Sequence, residues 1–445
     1  MQNKIIWLIP GIALIISLFC LLIKKTKTNN ILKTIKISNI SKESSGILVG
    51  KKQNNVYLTD ASKVLIVDKK SSNDYLNSNL HLISQFANKP NMIVLDPNRD
   101  LFNANYDHLK KMKYEISSYN LSNTFIDVFK IITKKMYEIK DLELKVNNIK
   151  GQYITADETY LSYEDIRKEI KTYKDDIKKI IKEFIVCYFK YSLNDSEFLP
   201  LYCMLLTYIE KKIYQEKIVE LTFDNVVAFI NERSSDSIIK LKKYLNSSED
   251  EEFLIKEEVK KIKFNKNDFE VILKKTNCLK TETKTMKIID LEGFYTSNEI
   301  IFLNEENKES LKLFLFLLNY THLETDLYLL SNYNAFYEFT LEKLKVIQVM
   351  TELKDVNGLD SYSVKIYRGK VINENKKEIL RLCKKELDEQ SDIDYKNVFN
   401  LLKLFDKIDI EKNEVLVINP RKGNVITNFE FSPSEKVLLN YSKKY

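Results

Sequence analysis

The run Met92–Phe102, with the sequence MIVLDPNRDLF, most constrains the fold of this 445-residue chain. A short and continuously apolar run that leads into a turn is typical of a strand buried on both faces of a parallel sheet. Proline cannot donate to the ladder, so the strand is expected to end at Pro97. Asp96 then either lies at the carboxyl edge of the sheet, where α/β proteins bind ligands, or merely caps a turn.

A second apolar run, Val64–Val67, lies upstream of the first, and helical periodicity connects the two from about Asp74 to Phe86. A strand–helix–strand unit of about 30 residues implies two parallel strands. The loop after the first strand has no glycine. It therefore lacks the flexible backbone that converges on a phosphate. Its candidate nucleotide-loop positions are Lys69, Lys70, Ser71 and Ser72.

The pattern changes between residues of about 125 and 285. Aromatic and aliphatic residues recur there every three or four positions between Lys and Glu, which predicts amphipathic helices. No strand pattern is found between about 155 and 250, and the α/β pattern then resumes. The predicted helices are a long one through Tyr163–Tyr188, then Phe198–Gln215, Phe223–Glu232, Ser237–Leu245 and Ser310–Tyr320. The predicted late strands are Lys287–Leu291, Glu299–Leu303, Leu327–Leu330, Lys345–Val349 and Tyr362–Tyr367, with hairpins at Ser45–Leu58 and Asn413–Phe431.

The uncharged run Ile5–Ile23 has nearly the length needed to span a bilayer. Lys24, Lys25 and Lys27 follow it, so the positive-inside rule places the amino terminus outside and the bulk of the chain in the cytoplasm. A cleaved signal peptide fits less well, since no small-x-small site follows the apolar core. The predicted organisation is an anchor with its basic flank (1–27), an α/β part (28–125), an inserted all-α domain (126–285) and a second α/β part with a carboxyl-terminal hairpin (286–445).

Cysteines and histidines give little sign of metal chemistry. The five cysteines are far apart and form no Cys-x-x-Cys pair, which argues against a zinc site and a disulfide framework. The three histidines, His81, His108 and His322, do not cluster in the sequence. The net charge of +7 is modest for this length and does not by itself indicate nucleic acid. No metal ligand is assigned.

Three segments add a pattern of order and spacing. They are IVLDPNRDLF at Ile93–Phe102, KVIQVMTELKDVNG at Lys345–Gly358 and SVKIYRG at Ser363–Gly369. With the anchor, the small hairpin, the β–α–β unit and the inserted helices, they resemble the type IV coupling proteins (the TraG/TraD family). These are membrane-anchored, RecA-like hexameric ATPases of conjugation and type IV secretion. The resemblance covers residues from about 1 to 440. It implies a RecA-like, mostly parallel sheet with helices on both faces, an inserted all-α domain and one transmembrane helix.

The departures from that family concern its catalytic positions. Its phosphate loop, of the type GPTGSGKS, aligns with Asp68–Tyr75, so that Asp74 replaces the lysine and Tyr75 the magnesium-binding hydroxyl. Its metal-binding Asp-Glu pair aligns with Ser331 and Asn332. Neither can serve as an anion or a general base. We therefore expect a pseudo-ATPase without catalytic residues. ATP and Mg²⁺ would be cofactors only if the degenerate site still binds them, with Asp96 and Gln348 at neighbouring strand ends.

Three functions remain open at this point. The first is an inactive coupling-protein-like scaffold or receptor of a conjugative DNA-transfer or type IV secretion apparatus. It would oligomerise and bind membrane apparatus proteins, with an active paralogous ATPase as a candidate neighbour. The second is an active nucleic-acid translocase with an atypical nucleotide site, whose loop lysines would contact DNA phosphates. The third is a membrane-tethered helical adaptor unrelated to ATPases, for which no central parallel sheet is expected.

Overall fold

The computed structural model describes residues 32–428, with gaps. The gaps are 53, 69–71, 151–155, 190–197, 216–219, 235, 248–255, 264–265, 290–297, 305–307, 321–325, 333–343, 351–361, 369–370, 373–375, 378, 380, 382–413 and 420–422. The predicted anchor at Ile5–Ile23 lies outside the described residues. Within them, no helix combines the length and the apolar character that crossing a membrane requires.

The chain first forms a small antiparallel sheet. Its strands are β1 (Lys33–Lys36), β2 (Ile47–Lys52) and β3 (Asn55–Thr59), in the order β1-β3-β2. The predicted hairpin at Ser45–Leu58 is confirmed by β2 and β3. The first strand was not expected from the sequence, since KTIK offers only one residue that becomes buried, Ile35.

Nine strands of the described residues form the central sheet, in the order β14-β13-β12-β4-β11-β10-β5-β9-β6. Every neighbouring pair from β12 to β6 is parallel, and only β13 runs against its neighbours. The α/β class with a mostly parallel sheet is therefore confirmed. The strands are β4 (Lys63–Val67), β5 (Asn91–Leu95), β6 (Glu115–Asn120), β9 (Glu299–Asn304), β10 (Leu327–Ser331), β11 (Leu344–Met350), β12 (Val364–Arg368), β13 (Glu414–Asn419) and β14 (Gly423–Asn428).

A separate pair of parallel strands, β7 (Thr124–Ile126) and β8 (Lys287–Ile289), flanks the helical part of the chain. The strand predicted at Lys287–Leu291 is thus present, but it pairs with β7 and not with the central sheet. Between these two strands every described element is a helix. The ten α-helices of the described residues are α1 (Ser72–Ile83), α2 (Asp100–Lys111), α3 (Phe129–Lys150), α4 (Ala156–Phe189), α5 (Phe198–Ile213), α6 (Phe223–Ser234), α7 (Ile238–Leu245), α8 (Lys256–Lys261), α9 (Lys266–Thr283) and α10 (Lys308–Leu318).

The two faces of the central sheet carry two different cores, because successive strand residues point to opposite sides. On one face Ile66, Val94 and Leu330 pack with residues of α1, α2 and the small sheet. On the other face Leu65 and Ile93 belong to a cluster that also contains residues of α10 and the helical part. The strands are thus buried on both faces, which is why they read as continuous apolar runs.

The described residues of the helical part share one hydrophobic cluster with the sheet. Phe129, Phe184 and Leu201 belong to the same contiguous cluster of buried residues as Leu329 of the sheet. The contact passes through α10, which packs on α4. Helices α3–α9 thus form an extension of one sheet layer, although they are inserted as a block in the sequence. The helical adaptor was expected to have no central parallel sheet. Such a sheet is present, so the structure does not favour that alternative.

Candidate functional site

The carboxyl ends of four neighbouring strands form the crevice in which an α/β protein of this kind binds ligands. Leu65 of β4, Gln348 of β11, Ser331 of β10 and Leu95 of β5 lie in one row across the sheet, each in register with the next. Gln348 and Ser331 are each about 1% exposed. Gln348 lies inside β11, two residues before its end, and not at a strand end as the sequence suggested.

The loop that would hold a phosphate connects β4 with α1. Lys69, Lys70 and Ser71 lie outside the described residues, and Ser72 is described only as the first residue of α1. The backbone N–H of Asp68 donates to the carbonyl oxygen of Met350 at 2.9 Å, so β4 remains attached to β11 beyond its last residue. The helix begins two residues earlier than the periodicity predicted.

The first turn of α1 contains both substituted positions of the family motif. Asp74 lies in that turn. A carboxylate there interacts favourably with the helix dipole, and it opposes the phosphate that the same helix end would otherwise attract. The Tyr75 side chain is fully buried and belongs to the core cluster beneath the sheet. It is therefore placed in the core and not in the crevice.

A side-chain hydrogen bond connects the two halves of the expected nucleotide site. The Nδ2 of Asn332, directly after β10, donates to the Oδ1 of Asn73 in α1 at 3.1 Å. In the alignment with the coupling proteins, Asn73 precedes the phosphate-binding lysine position and Asn332 is the general-base position. The amide pair carries no charge, so on this alignment it supplies neither a cation nor a carboxylate at these two positions.

Asp96 follows β5 directly and is about 2% exposed. Its Oδ2 accepts a hydrogen bond from the backbone N–H of Phe102 at 2.8 Å. Burial raises the pKa of the Asp96 carboxyl, and bonds from the backbone N–H groups of Phe102, Leu101 and Asp100 partly offset this shift. The carboxylate therefore caps the amino terminus of α2, and its strand-end position was predicted correctly.

Two histidines that are 27 residues apart come together between α1 and α2. The ring centroids of His81 and His108 are 4.0 Å apart, so the fold brings together two histidines that do not cluster in the sequence. The His108 Nε2 and the Ser84 Oγ are 3.0 Å apart. Within the described part of the chain, no group of three or more His, Cys, Asp or Glu residues could hold a metal ion.

Comparisons with family models and with curated proteins identified no relative of this chain. No model of a protein family matches the chain, and no curated protein matches it either. A functional interpretation therefore depends on the residues and their geometry.

Proposed function

We propose that this chain is a membrane-anchored, catalytically inactive relative of the coupling-protein ATPases. It would act as a scaffold or receptor in a conjugative DNA-transfer or type IV secretion apparatus. The observation that carries the proposal is the hydrogen bond between Asn73 and Asn332. It joins the two elements that bind the phosphates and the metal in an ATPase, and neither side chain can replace the groups that the reaction needs.

The arrangement of the sheet supports this kinship. In the order β12-β4-β11-β10-β5, one strand separates the candidate phosphate-loop strand β4 from the candidate metal strand β10. That arrangement agrees with a RecA-like sheet. The β–α–β unit of β4, α1 and β5 is parallel, and two strands, β11 and β10, lie between its two strands.

The chemistry of the crevice supports loss of activity. Phosphoryl transfer depends on a cationic clamp and Mg²⁺ that neutralise developing charge, and on a group that orients the nucleophile. Asp74 adds a negative charge at the helix end that should receive the phosphate, and Tyr75 directs its ring into the core. The carboxylate nearest the crevice on β5, that of Asp96, is engaged by the backbone of α2.

A scaffold role follows from what remains when the ATPase chemistry is removed. The α/β layer keeps a mostly parallel sheet, which supports a RecA-like architecture for the proposed scaffold. Partners are therefore expected among membrane apparatus proteins, including an active paralogous ATPase, and the chain is expected to oligomerise. Contact with DNA is not required by this proposal.

The test is Mg²⁺-dependent ATP binding and hydrolysis by the full-length chain in detergent micelles. We expect no Mg²⁺-dependent binding at millimolar ATP and no release of phosphate. Cross-linking in intact membranes should instead recover other membrane-apparatus proteins. Tight Mg²⁺-dependent binding of ATP would contradict the proposal and would favour the translocase. Recovery of unrelated soluble proteins alone in the cross-linking experiment would contradict the scaffold role.

A further inference from the structure

A polar cavity lies on the same edge of the central sheet, beyond β5. It has a volume of about 410 Å³ and is formed where the ends of β6 and β9 meet the short β7–β8 pair. We call it the β6–β9 cavity. Its volume falls within the range of small-molecule sites, which is roughly 300–1,000 Å³. It lies apart from the Asn73–Asn332 bond, which belongs to β10 and α1.

Among the described residues that line the β6–β9 cavity, two are cations and none is acidic. Arg99 precedes α2, and its guanidinium carbon is 4.9 Å from the centroid of the Phe102 ring, which steadies the side chain. Lys287 is the first residue of β8 and is paired in register with Thr124 of β7. Among the described residues neither Arg99 nor Lys287 forms an ion pair. Two cations that have no acidic partner among the described residues favour an anion in this cavity.

The amide groups around the cavity add neutral hydrogen-bond donors. Asn120 and Asn304 are directly opposite each other at the ends of β6 and β9. The Asn120 Oδ1 already accepts a hydrogen bond from the backbone N–H of Ser122 at 3.0 Å. This bond fixes the amide so that its Nδ2 donor is the group offered to a ligand. Donors that are held in place suit the oxygen atoms of a phosphate.

The threonine hydroxyl groups that line the cavity indicate which groups the ligand carries besides its anion. The Thr124 hydroxyl donates to the carbonyl oxygen of Asn120 at 2.7 Å, and the Thr285 hydroxyl donates to that of Glu282 at 2.8 Å. Each hydroxyl proton is thus committed, so the oxygen atoms remain as acceptors. Acceptors of this kind bind ligand hydroxyl groups. None of the described lining residues is aromatic, so among them a nucleobase would find no ring to stack on.

We propose that the β6–β9 cavity binds a small phosphorylated, hydroxyl-rich molecule of the sugar-phosphate type. Arg99 and Lys287 would contact the phosphate, together with the amide donors of Asn120 and Asn304. The hydroxyl oxygens of Thr124 and Thr285 would accept hydrogen bonds from the hydroxyl groups of the ligand. This site requires neither Mg²⁺ nor the phosphate loop, and it is independent of the function proposed above.

Titration calorimetry of the full-length chain in detergent micelles without Mg²⁺ tests this proposal, with ribose 5-phosphate, inorganic phosphate, ribose and AMP as probes. Saturable binding of ribose 5-phosphate is expected, with weaker binding of phosphate and none of ribose. AMP should bind no more tightly than ribose 5-phosphate. Absence of saturable ribose 5-phosphate binding at millimolar concentration would overturn the proposal. Tighter binding of a single-stranded oligonucleotide through the same residues would also overturn it.

Three variants locate the binding. Arg99→Asn removes the first cation and introduces asparagine, which tolerates the left-handed backbone at this position (φ 61°). Lys287→Gln removes the second cation, and each change should weaken binding at least about tenfold, as expected for a lost charge-assisted bond. Asn304→Asp is nearly isosteric and should abolish binding by repulsion. The matched control Lys284→Gln alters an exposed lysine outside the cavity and should change nothing. Equal affinity of all four variants would refute the site, provided that their circular dichroism matches that of the wild type.

Discussion

Asn332 donates a hydrogen bond from its Nδ2 to the Oδ1 of Asn73 at 3.1 Å, across 259 residues of sequence. This bond connects the end of β10 with the first turn of α1, the two elements that the proposed function assigns to a degenerate nucleotide site. Both side chains are half-buried, so the bond is partly shielded from water. An amide pair of this kind stabilises the crevice without any ligand.

The strength of this bond can be measured with a double-mutant cycle of Asn73→Ala and Asn332→Ala. We expect a coupling energy of about 1 kcal/mol from urea denaturation, the usual net contribution of a neutral hydrogen bond. The matched control combines Asn332→Ala with Asn103→Ala, an exposed residue of α2, and should show no coupling. A coupling of zero for the first pair would mean that the bond contributes nothing in solution.

Tyr75→Ser would restore a hydroxyl at the position of the family's magnesium ligand, and we expect it to destabilise the protein instead. The ring is fully buried in the core, so its removal should cost about 3–5 kcal/mol by leaving a cavity. Tyr75→Phe keeps the ring and should cost far less. Denaturant titrations compare the two, and Mg²⁺-dependent ATP binding should remain absent in both. Gain of such binding by Tyr75→Ser would show that the crevice is open to nucleotide.

Asp96 is expected to act through the stability of α2 and not through a ligand. Its carboxylate accepts the backbone N–H of Phe102, so Asp96→Ala should lower the free energy of unfolding by about 1–3 kcal/mol. Asp96→Asn keeps an acceptor oxygen and should lower it less. Thermal unfolding followed by circular dichroism measures both changes. Equal losses in the two variants would indicate that the negative charge, and not the cap, is what matters.

Strands and helices that carry a clear hydrophobic pattern could be predicted from the sequence, and elements that lack such a pattern were missed. Runs such as Val64–Val67 are apolar on both faces, so the β–α–β unit could be predicted from local residues alone. The strand β6, with the sequence EISSYN, lies at the edge of the sheet and is only half-buried, so it shows no such run. The register of Gln348 with Ser331 depends on which strands become neighbours, and no local pattern contains that order.

The candidate site was predictable only in part for the same reason. Asp96 could be placed at a strand end because Pro97 marks the end of the run. The bond between Asn73 and Asn332 and the cavity containing Arg99 and Lys287 are formed by residues far apart in sequence. Polar residues of these types are common in loops, so only the folded chain shows which of them meet.

The pair His81 and His108 should make the fold sensitive to acid. Burial lowers the pKa of His81 to about 4 and that of His108 to about 3, from 6.5. Below pH 6.5 the unfolded chain therefore binds protons that the folded chain does not, and stability falls as the pH falls towards 4. The loss is at most about 1.4 kcal/mol per pH unit for each histidine.

Denaturant titrations over this pH range compare the wild type with His81→Gln and His108→Gln. Each variant should show a shallower loss of stability towards low pH, since glutamine does not titrate. The control Asn103→Gln changes an exposed residue on the same helix as His108 and should keep the wild-type slope. If the slopes of the two histidine variants equal that of the wild type, the pair is not the source of acid sensitivity.

The predicted anchor can be tested with charges inside Ile5–Ile23. Leu14→Lys and Leu18→Lys together place two lysines near the centre of the run, and each costs about 2.5–3.5 kcal/mol in a membrane-spanning helix. We expect the wild-type chain to sediment with membranes after an alkaline carbonate wash and the double variant to enter the soluble fraction. The control pair Leu14→Ile and Leu18→Ile keeps the apolar character and should sediment like the wild type. If the double-lysine chain also stays with the membranes, then the attachment depends on another part of the chain or on a partner, because a helix with two central lysines would no longer favour insertion.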